Sequence, residues 1–332
     1  MATPPAEAAG MSGAGTRLLV VSPAPEEAIE PIRARFPALD LADCRDVAEL
    51  ARIVGRHRPE VAFVSRHPQV PFPREALLAA PTLRWVASAG VGVDFLLPWD
   101  KDRLVVTNSR GVTAGAIAQF AIGAIIAFAS RILVYHRQQL AREWRQHPVE
   151  RIAGKTLVLV GLGHIGEAIA KRALAFDMRV VGVRARPRPS ATVQRVFGPD
   201  RLLEALAEGD AVAASLPLTR ETRGLFDARA FAAMKPGSLF VSLGRGQSVD
   251  EAALVQALRA GPLGGAVLDV FETEPLPAAS PLWGLDNVLV TPHCISDYAG
   301  WQRDSAAMFA DNLANWLAGR PLFNVVDPER GY

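Results

Sequence analysis

The chain is 332 residues long and half hydrophobic, with 36 basic and 34 acidic side chains and a formal net charge of +2. That length supplies core for roughly two domains, and so even a balance excludes the charged surface that a nucleic-acid partner would need. Two cysteines, Cys44 and Cys294, make neither a disulfide framework nor a zinc pattern, which suits a reducing cytoplasm and predicts no metal site.

Residues 1–16 are mostly small or polar, with no basic n-region and no apolar h-region, and read as a flexible leader rather than a signal peptide. Leu18–Val21, Val61–Val64, Trp85–Ser88 and Leu104–Thr107 then follow as short β-branched runs, each expected to be a buried parallel strand. A helical pattern over Asp46–Arg58 separates the first two, so this stretch is an α/β block in its own right.

Ala114 to Ala129 is apolar except for Gln119 and stops at Ser130 and Arg131. A membrane-spanning helix needs about 20 such residues, so this run predicts a buried helix, covered by another domain or subunit, and no membrane partner.

A second block opens at Leu157–Val160, and Gly161-Leu162-Gly163-His164-Ile165-Gly166 follows directly. In a strand-to-helix turn that holds a dinucleotide, the first glycine makes the tight turn and the second lets backbone approach the pyrophosphate. The third lets helix pack on strand. Helix Gly163–Phe176 then aims its amides and dipole at the phosphates, with Ile165, Ile169, Arg172 or Ala173, and Phe176 at core spacing. Further strands are expected at Arg179–Val183, Ala211–Ala214, Leu239–Ser242, Gly265–Leu268 and Val288–Val290, making six in a dinucleotide-binding sheet.

The second of these strands should end in an acid if NAD is the ligand, because a carboxylate pairs with the ribose hydroxyls. Here it ends in Arg184, with Arg186 and Arg188 close behind and no carboxylate in residues 183–190. Guanidinium groups suit a 2′-phosphate, so NADP is preferred; NAD is the alternative if the arginines only form a solvated loop.

Three later strand ends carry chemistry. Ser242-Leu243-Gly244-Arg245-Gly246 sets an arginine between glycines, with Ser248…Glu251 offering a capping box for the next helix. Asp269 to Pro277 carries Asp269, Glu272 and Glu274, and Thr291-Pro292-His293-Cys294 carries a histidine. Each alone reads as a turn, a solvated cap or a structural histidine. Their conjunction on the edge where open α/β sheets bind ligands is the stronger signal. The tail reads as a helix over Trp301–Leu317 and an extended end at Phe323–Val326, which can return to the first block.

From about Arg17 onward, the order and spacing of these segments resemble the D-2-hydroxyacid dehydrogenase family, which includes glyoxylate/hydroxypyruvate reductases and phosphoglycerate dehydrogenases. The resemblance implies two doubly wound parallel-sheet domains. A Rossmann cofactor domain (109–294) would be inserted into a flavodoxin-like substrate and catalytic domain (17–108 plus 295–332). It implies a catalytic triad of Arg245, Glu274 and His293: His293 exchanges a proton with the carbonyl oxygen, Glu274 orients its ring, and Arg245 grips the 2-oxo acid. Asp269 matches the family's aspartate beside the nicotinamide. Further cofactor contacts fall on Gly161, Gly163, His164, Ile165, Gly166, Arg184, Arg186, Leu216, Pro217, Thr222, Leu243, Gly244, His293 and Ser296. The loop Ser88–Asp94 resembles the family's substrate loop, in which the Val91 and Gly92 amides form an anion nest, whereas from the residues alone it is equally a tight turn.

The chain departs from the family at Cys294–Trp301, where Asp297, Tyr298 and Trp301 replace small residues, and at Gln119, where a glutamate is usual. Tyr298, Trp301 and Trp85 are candidates to line the pocket, although core packing is the better reading for Trp85; Glu272 is expected to be exposed. The leading expectation is a cytoplasmic, homodimeric, NADP-preferring reductase of small 2-oxo acids, with Ala114–Ala129 and the Trp144 region as interface. Alternatives are oxidation of phosphite or another small anion on the same scaffold, and a non-catalytic, cofactor-sensing scaffold like the family's corepressor relatives. Formate oxidation is disfavoured, since formate dehydrogenases of this fold carry glutamine where Glu274 stands.

Overall fold

The structure, a computed structural model, describes residues 15–66 and 70–329, so all but the last two residues of the expected leader lie outside the described residues. The leader's final residue, Thr16, is buried. The chain divides into two compact units, one running to Val112 and resuming at Tyr298, the other spanning Thr113–Asp297.

The first unit is built on five parallel strands: β1 (Arg17–Val21), β2 (Asp40–Cys44), β3 (Val61–Val64), β4 (Trp85–Ser88) and β5 (Val105–Asn108), in the order β2-β1-β3-β4-β5. Successive side chains alternate between two cores. Leu19, Val21, Ala62, Val64 and Val86 face one, while Leu18, Val20, Phe63, Trp85 and Ala87 face the other. Each large apolar side chain fully buried this way contributes about 1.5–3 kcal/mol. The C-terminal helix Trp301–Leu317 returns to this unit, laying Phe309 and Trp316 on Trp85 at ring separations of 5.0 and 5.6 Å. Beyond it the expected extended end makes only an isolated antiparallel bridge, Thr107 to Val325. The fifth strand sits one residue later than its apolar run suggests.

The second unit holds seven parallel strands: β6 (Thr156–Val160), β7 (Arg179–Val183), β8 (Arg195–Phe197), β9 (Ala211–Ala214), β10 (Leu239–Ser242), β11 (Gly265–Leu268) and β12 (Val288–Val290). Their order, β12-β11-β10-β9-β6-β7-β8, reverses between β6 and β9, which is the topological switch point where doubly wound sheets bind ligands. Strand β8 is an addition to the six expected from sequence.

Helix Ala114–Ala129 forms as expected, and Ile117, Ala118, Ala121, Ile122 and Ile125 share a core with Ile169, Ala170 and Ala173 of helix His164–Ala175. Its cover on that side is therefore the unit's own fingerprint helix rather than a second domain or subunit. Phe176, expected at a core position, is exposed one residue past that helix. Among the described residues no single helix is long and apolar enough to cross a membrane; Ala114–Ala129 and Ile132–Ala141 reach that length only together, across a 63° bend.

Candidate active site

The site assembles along the C-terminal edge of the seven-stranded sheet, where parallel strands leave their last residues side by side. After β6, Gly161 turns at φ +105°, and a Cβ on it would stand 2.7 Å from the Ser215 carbonyl oxygen at the end of β9. A Cβ on Gly166 would stand 2.1 Å from the Gly161 carbonyl oxygen. These two glycines are demanded by protein packing. Gly163 is not, because a Cβ there would meet nothing within 4 Å. That open space lies at the N-cap of helix His164–Ala175, which has no side-chain cap, so first-turn amides of His164 and Ile165 face a cradle suited to a phosphate anion.

At the end of β7, Arg184 is partly buried and tied to β8 through its own amide, which donates to the Phe197 carbonyl at 3.2 Å. Arg186 and Arg188 are exposed, and among the described residues no protein acceptor engages the guanidinium groups of these three arginines. Past β9, Leu216 and Pro217 are half-buried, and the Thr222 hydroxyl donates to the Pro217 carbonyl at 2.7 Å, closing the loop on itself.

Arg245 follows β10 by three residues. Glycine on either side is a packing requirement: a Cβ on Gly244 would sit 2.5 Å from the Leu216 carbonyl oxygen, and one on Gly246 would overlap the Phe271 backbone. The chain around Arg245 thus presses against the loop that carries the acids. Its Nη1 donates to the Gly244 carbonyl at 2.8 Å.

Glu274 and His293 meet directly, with Nδ1–H donating to Oε2 at 2.7 Å. The other carboxylate oxygen accepts the Phe271 amide at 3.0 Å. Burial alone pushes the Glu274 carboxyl up, but the His293 bond, the Phe271 amide and the charges of His293 and Arg245 outweigh it and hold it below the ordinary carboxylate value. With Nδ1 so engaged, the ring presents Nε2 outward, and both partners are about one-third exposed, open to a reactant. Asp269, only 1% exposed, accepts the Thr291 hydroxyl at 2.7 Å and the Cys294 amide at 3.1 Å. Burial raises its pKa, and the hydrogen bonds only partly offset that.

One expectation is corrected. The Ser248–Glu251 capping box does not form: Asp250 is the N-cap and accepts the Ala253 amide, while Ser248 donates to the Arg245 carbonyl. The helix starts at Glu251, so Asp250 rather than Ser248 stands at the capping position. Glu272 is exposed as expected, yet it and Glu251 accept each other's amides, stapling the loop before Glu274. Trp85 is wholly buried, with its indole N–H donating to the Thr107 hydroxyl. Trp301 packs against the same core, and Tyr298 donates to Asp304, its pKa pushed up to about 12 by burial and that carboxylate. All three aromatics belong to the five-stranded unit. Ser296 is half-buried, and its hydroxyl reaches Asp297 at 3.4 Å. Asp297 and Gln119 are exposed.

Val91 and Gly92 follow β4 in the five-stranded unit. Their loop is braced by Asn108, which donates to the Val91 carbonyl at 2.7 Å, and among the described residues neither residue's amide donates to a protein acceptor. Missing from the sequence reading were Thr291 as a brace and Glu167, which accepts the hydroxyls of Ser190 and Thr192. Their contacts bridge 22 residues or more, and no local spacing signals them.

A family model described as "D-isomer specific 2-hydroxyacid dehydrogenase, NAD binding domain" matches residues 122–294. The chain is 33% identical over 321 residues to a glyoxylate reductase of Korarchaeum cryptofilum, covering 94% of this chain and 96% of that one. It is 32% identical over 318 residues to a D-3-phosphoglycerate dehydrogenase of Archaeoglobus fulgidus, covering 94% of this chain but only 59% of that longer protein. Among solved structures, an NADPH-dependent glyoxylate/hydroxypyruvate reductase from Sinorhizobium meliloti in complex with NADP and sulfate superposes with a TM-score of 0.82. It is 28% identical, covering 96% of this chain and all of the other.

Proposed function

The chain belongs to the D-isomer specific 2-hydroxyacid dehydrogenase family, and from that premise we propose that it is an NAD(P)-dependent reductase of small 2-oxo acids, glyoxylate and hydroxypyruvate foremost. The observation that carries this reading is the 2.7 Å Glu274–His293 bond on the same sheet edge as the glycine turn. When bound, the nicotinamide nucleotide supplies the hydride. His293 delivers a proton from Nε2 to the carbonyl oxygen as negative charge develops there, and takes it back in the oxidative direction. Glu274 holds the ring in register and opposes the positive charge of its protonated form. Arg245 gives planar paired donors to the substrate's carboxylate or carbonyl oxygen.

The Val91 and Gly92 amides are assigned to the substrate carboxylate as an anion nest, supported by their lack of protein acceptors among the described residues. Asp269, Leu216, Pro217, Thr222, Leu243, Gly244 and Ser296 are assigned to the cofactor, with Gly161 to Gly166 under its pyrophosphate. NADP is preferred over NAD because Arg184 and Arg186 stand where an NAD site has a carboxylate. A homodimer completes the reading, supported by exposed Ile132, Tyr135, Leu140, Trp144 and Val149 along one segment. A cytoplasmic location is supported by the free Cys44 and Cys294.

The test is oxidation of NADPH and NADH, followed at the nicotinamide absorbance, against a panel of 2-oxo acids, with phosphite as hydride donor in the reverse assay. Turnover with glyoxylate or hydroxypyruvate, faster with NADPH, is expected. Activity with phosphite alone, or cofactor binding without turnover of any oxo acid, would overturn the reading.

A further inference from the structure

The segment between β7 and β8 begins Arg184-Ala185-Arg186-Pro187-Arg188-Pro189-Ser190, three cations within five residues. Such a run repels itself; Pro187 and Pro189 stiffen it locally, but nothing within the run fixes where it lies against the sheet. Its two ends are nevertheless fixed. Arg184 is held by its amide to Phe197, as above, and the far end is tied to a single carboxylate. Ser190 Oγ lies 3.1 Å from both oxygens of Glu167, and Thr192 Oγ1 donates to Glu167 as well. Ser190 and Val193 form a bridge that closes the turn.

Glu167 is the residue directly after Gly166, in the first turn of helix His164–Ala175. A carboxylate is favoured there by the helix dipole, and its two oxygens accept several hydroxyls at once. Its bonds go to the hydroxyls of Ser190 and Thr192. Among the described residues it pairs with none of Arg184, Arg186 or Arg188, so its charge does not compete with a phosphate for those guanidiniums. One side chain therefore links the glycine turn to the arginine loop.

We propose that Glu167 is a positioning residue that pre-orders the arginine loop for the 2′-phosphate of NADP, and so sets cofactor choice without touching the cofactor. This rests on the assignment of NADP to Arg184 and Arg186. Ordering a loop in its bound form before the ligand arrives removes that cost from binding, and the gain applies only to the ligand that uses the loop. NADP carries the 2′-phosphate and NAD does not.

Isothermal titration of the cofactor-free full-length protein with NADP⁺, NAD⁺ and adenosine 2′,5′-bisphosphate tests this. Glu167→Ala is expected to weaken NADP⁺ and the bisphosphate by about tenfold, the size of one strong hydrogen bond lost, and to leave NAD⁺ within about twofold. Glu167→Gln keeps an acceptor oxygen for the hydroxyls and is expected to restore most of the affinity. Thr192→Val should fall between, and it reports the same tether if Glu167→Ala folds poorly. Equal weakening of both nucleotides, or no change in either, overturns the proposal and leaves Glu167 a structural residue. Arg184→Asp, run in parallel, separates the premises. An unchanged NADP⁺/NAD⁺ ratio there overturns the NADP assignment and the tether with it. A shifted ratio there beside an unshifted one in Glu167→Ala overturns the tether alone.

Discussion

Thr291 donates its hydroxyl to Asp269 Oδ1 at 2.7 Å, binding the end of β12 to the end of β11, and Cys294 donates its amide to the same oxygen. His293 lies between those two anchors with φ +51°, a left-handed conformation that is uncommon for a residue bearing a Cβ. Such backbone strain persists only where the surroundings over-determine it. The buried carboxylate is what does so here.

Thr291→Val keeps the shape and removes the donor. Leaving a buried carboxylate one bond short costs about 1–3 kcal/mol, so the melting temperature should fall. The released His293 should also lower kcat more than it changes KM for the oxo acid. Thr291→Ser, which retains the hydroxyl, should recover both. A Val variant with unchanged kcat would show that the brace is irrelevant to the histidine.

Asp269→Asn should stabilise the fold while harming the enzyme. Burial raises the Asp269 pKa above its ordinary 3.8, so the folded chain holds that proton more tightly than the unfolded chain. Stability from this group is then fullest below 3.8 and declines as pH rises through the higher folded value, leaving a penalty at neutral pH. Asparagine carries no charge and still accepts the Thr291 and Cys294 bonds. Melting curves should place the variant above the parent at pH 7, with the gap closing toward pH 3.8, and kcat should fall at every pH. A lower melting temperature at pH 7 would refute it.

Gly163 and Gly166 should respond differently to alanine, one mainly in nucleotide affinity and the other mainly in stability. At Gly166 the new methyl would collide with the Gly161 carbonyl, and overpacking of this kind typically costs about 1–3 kcal/mol, seen as a lower melting temperature. At Gly163 the methyl meets open space at an ordinary φ of −96°, so the loss should be limited to about 1 kcal/mol from the weaker N-cap. Nucleotide affinity should nonetheless drop by tenfold or more, because the methyl stands where the pyrophosphate is assigned. Retained affinity in Gly163→Ala would move the phosphate site elsewhere.

Why some of this was legible in the chain and some was not follows from particular segments. Central strands such as Val61–Val64 are buried on both faces and so read as unbroken apolar runs. The two strands without a clear apolar run lie at sheet edges. Asp40–Cys44 pairs only with β1 and keeps two aspartates, and Arg195–Phe197 is three residues long and pairs only with β7. An edge strand needs little apolar surface, so its pattern is weak. The strand ends that carry Arg245, Glu274 and His293 were legible because they follow apolar runs in a recognisable order. The ties that set their geometry join residues 19 to 25 positions apart: Glu274 to His293, Asp269 to Thr291, Glu167 to Thr192. Only the folded register brings such pairs together.

The homodimer assignment places its weight on Trp144, which is 98% exposed, and on Leu140 nearby. A side chain that large is seldom left in water without a partner surface. Trp144→Ala combined with Leu140→Ala should shift the sedimentation coefficient from dimer to monomer, without lowering the melting temperature of the seven-stranded unit's own core. An unchanged coefficient would remove this segment from the interface.

Glu274→Gln separates orientation from charge at the triad. The amide oxygen still accepts the His293 Nδ1–H, so the ring stays in place while the opposing charge is lost. Reduction of the oxo acid should slow by about 10²-fold, the lower range for a positioned proton-transfer group, with KM for the oxo acid little changed. The stability consequence has the opposite sign from that at Asp269. The Glu274 carboxyl is held below its ordinary 4.5, so its ionised form adds stability above 4.5 and loses it as pH falls through the lower folded value. Parent and variant melting curves should therefore be separated at pH 7 and converge as the pH drops below 4.5. A gap that stays constant down through that window would mean the carboxylate charge contributes nothing to the folded site, and that Glu274 acts on His293 through its hydrogen bond alone.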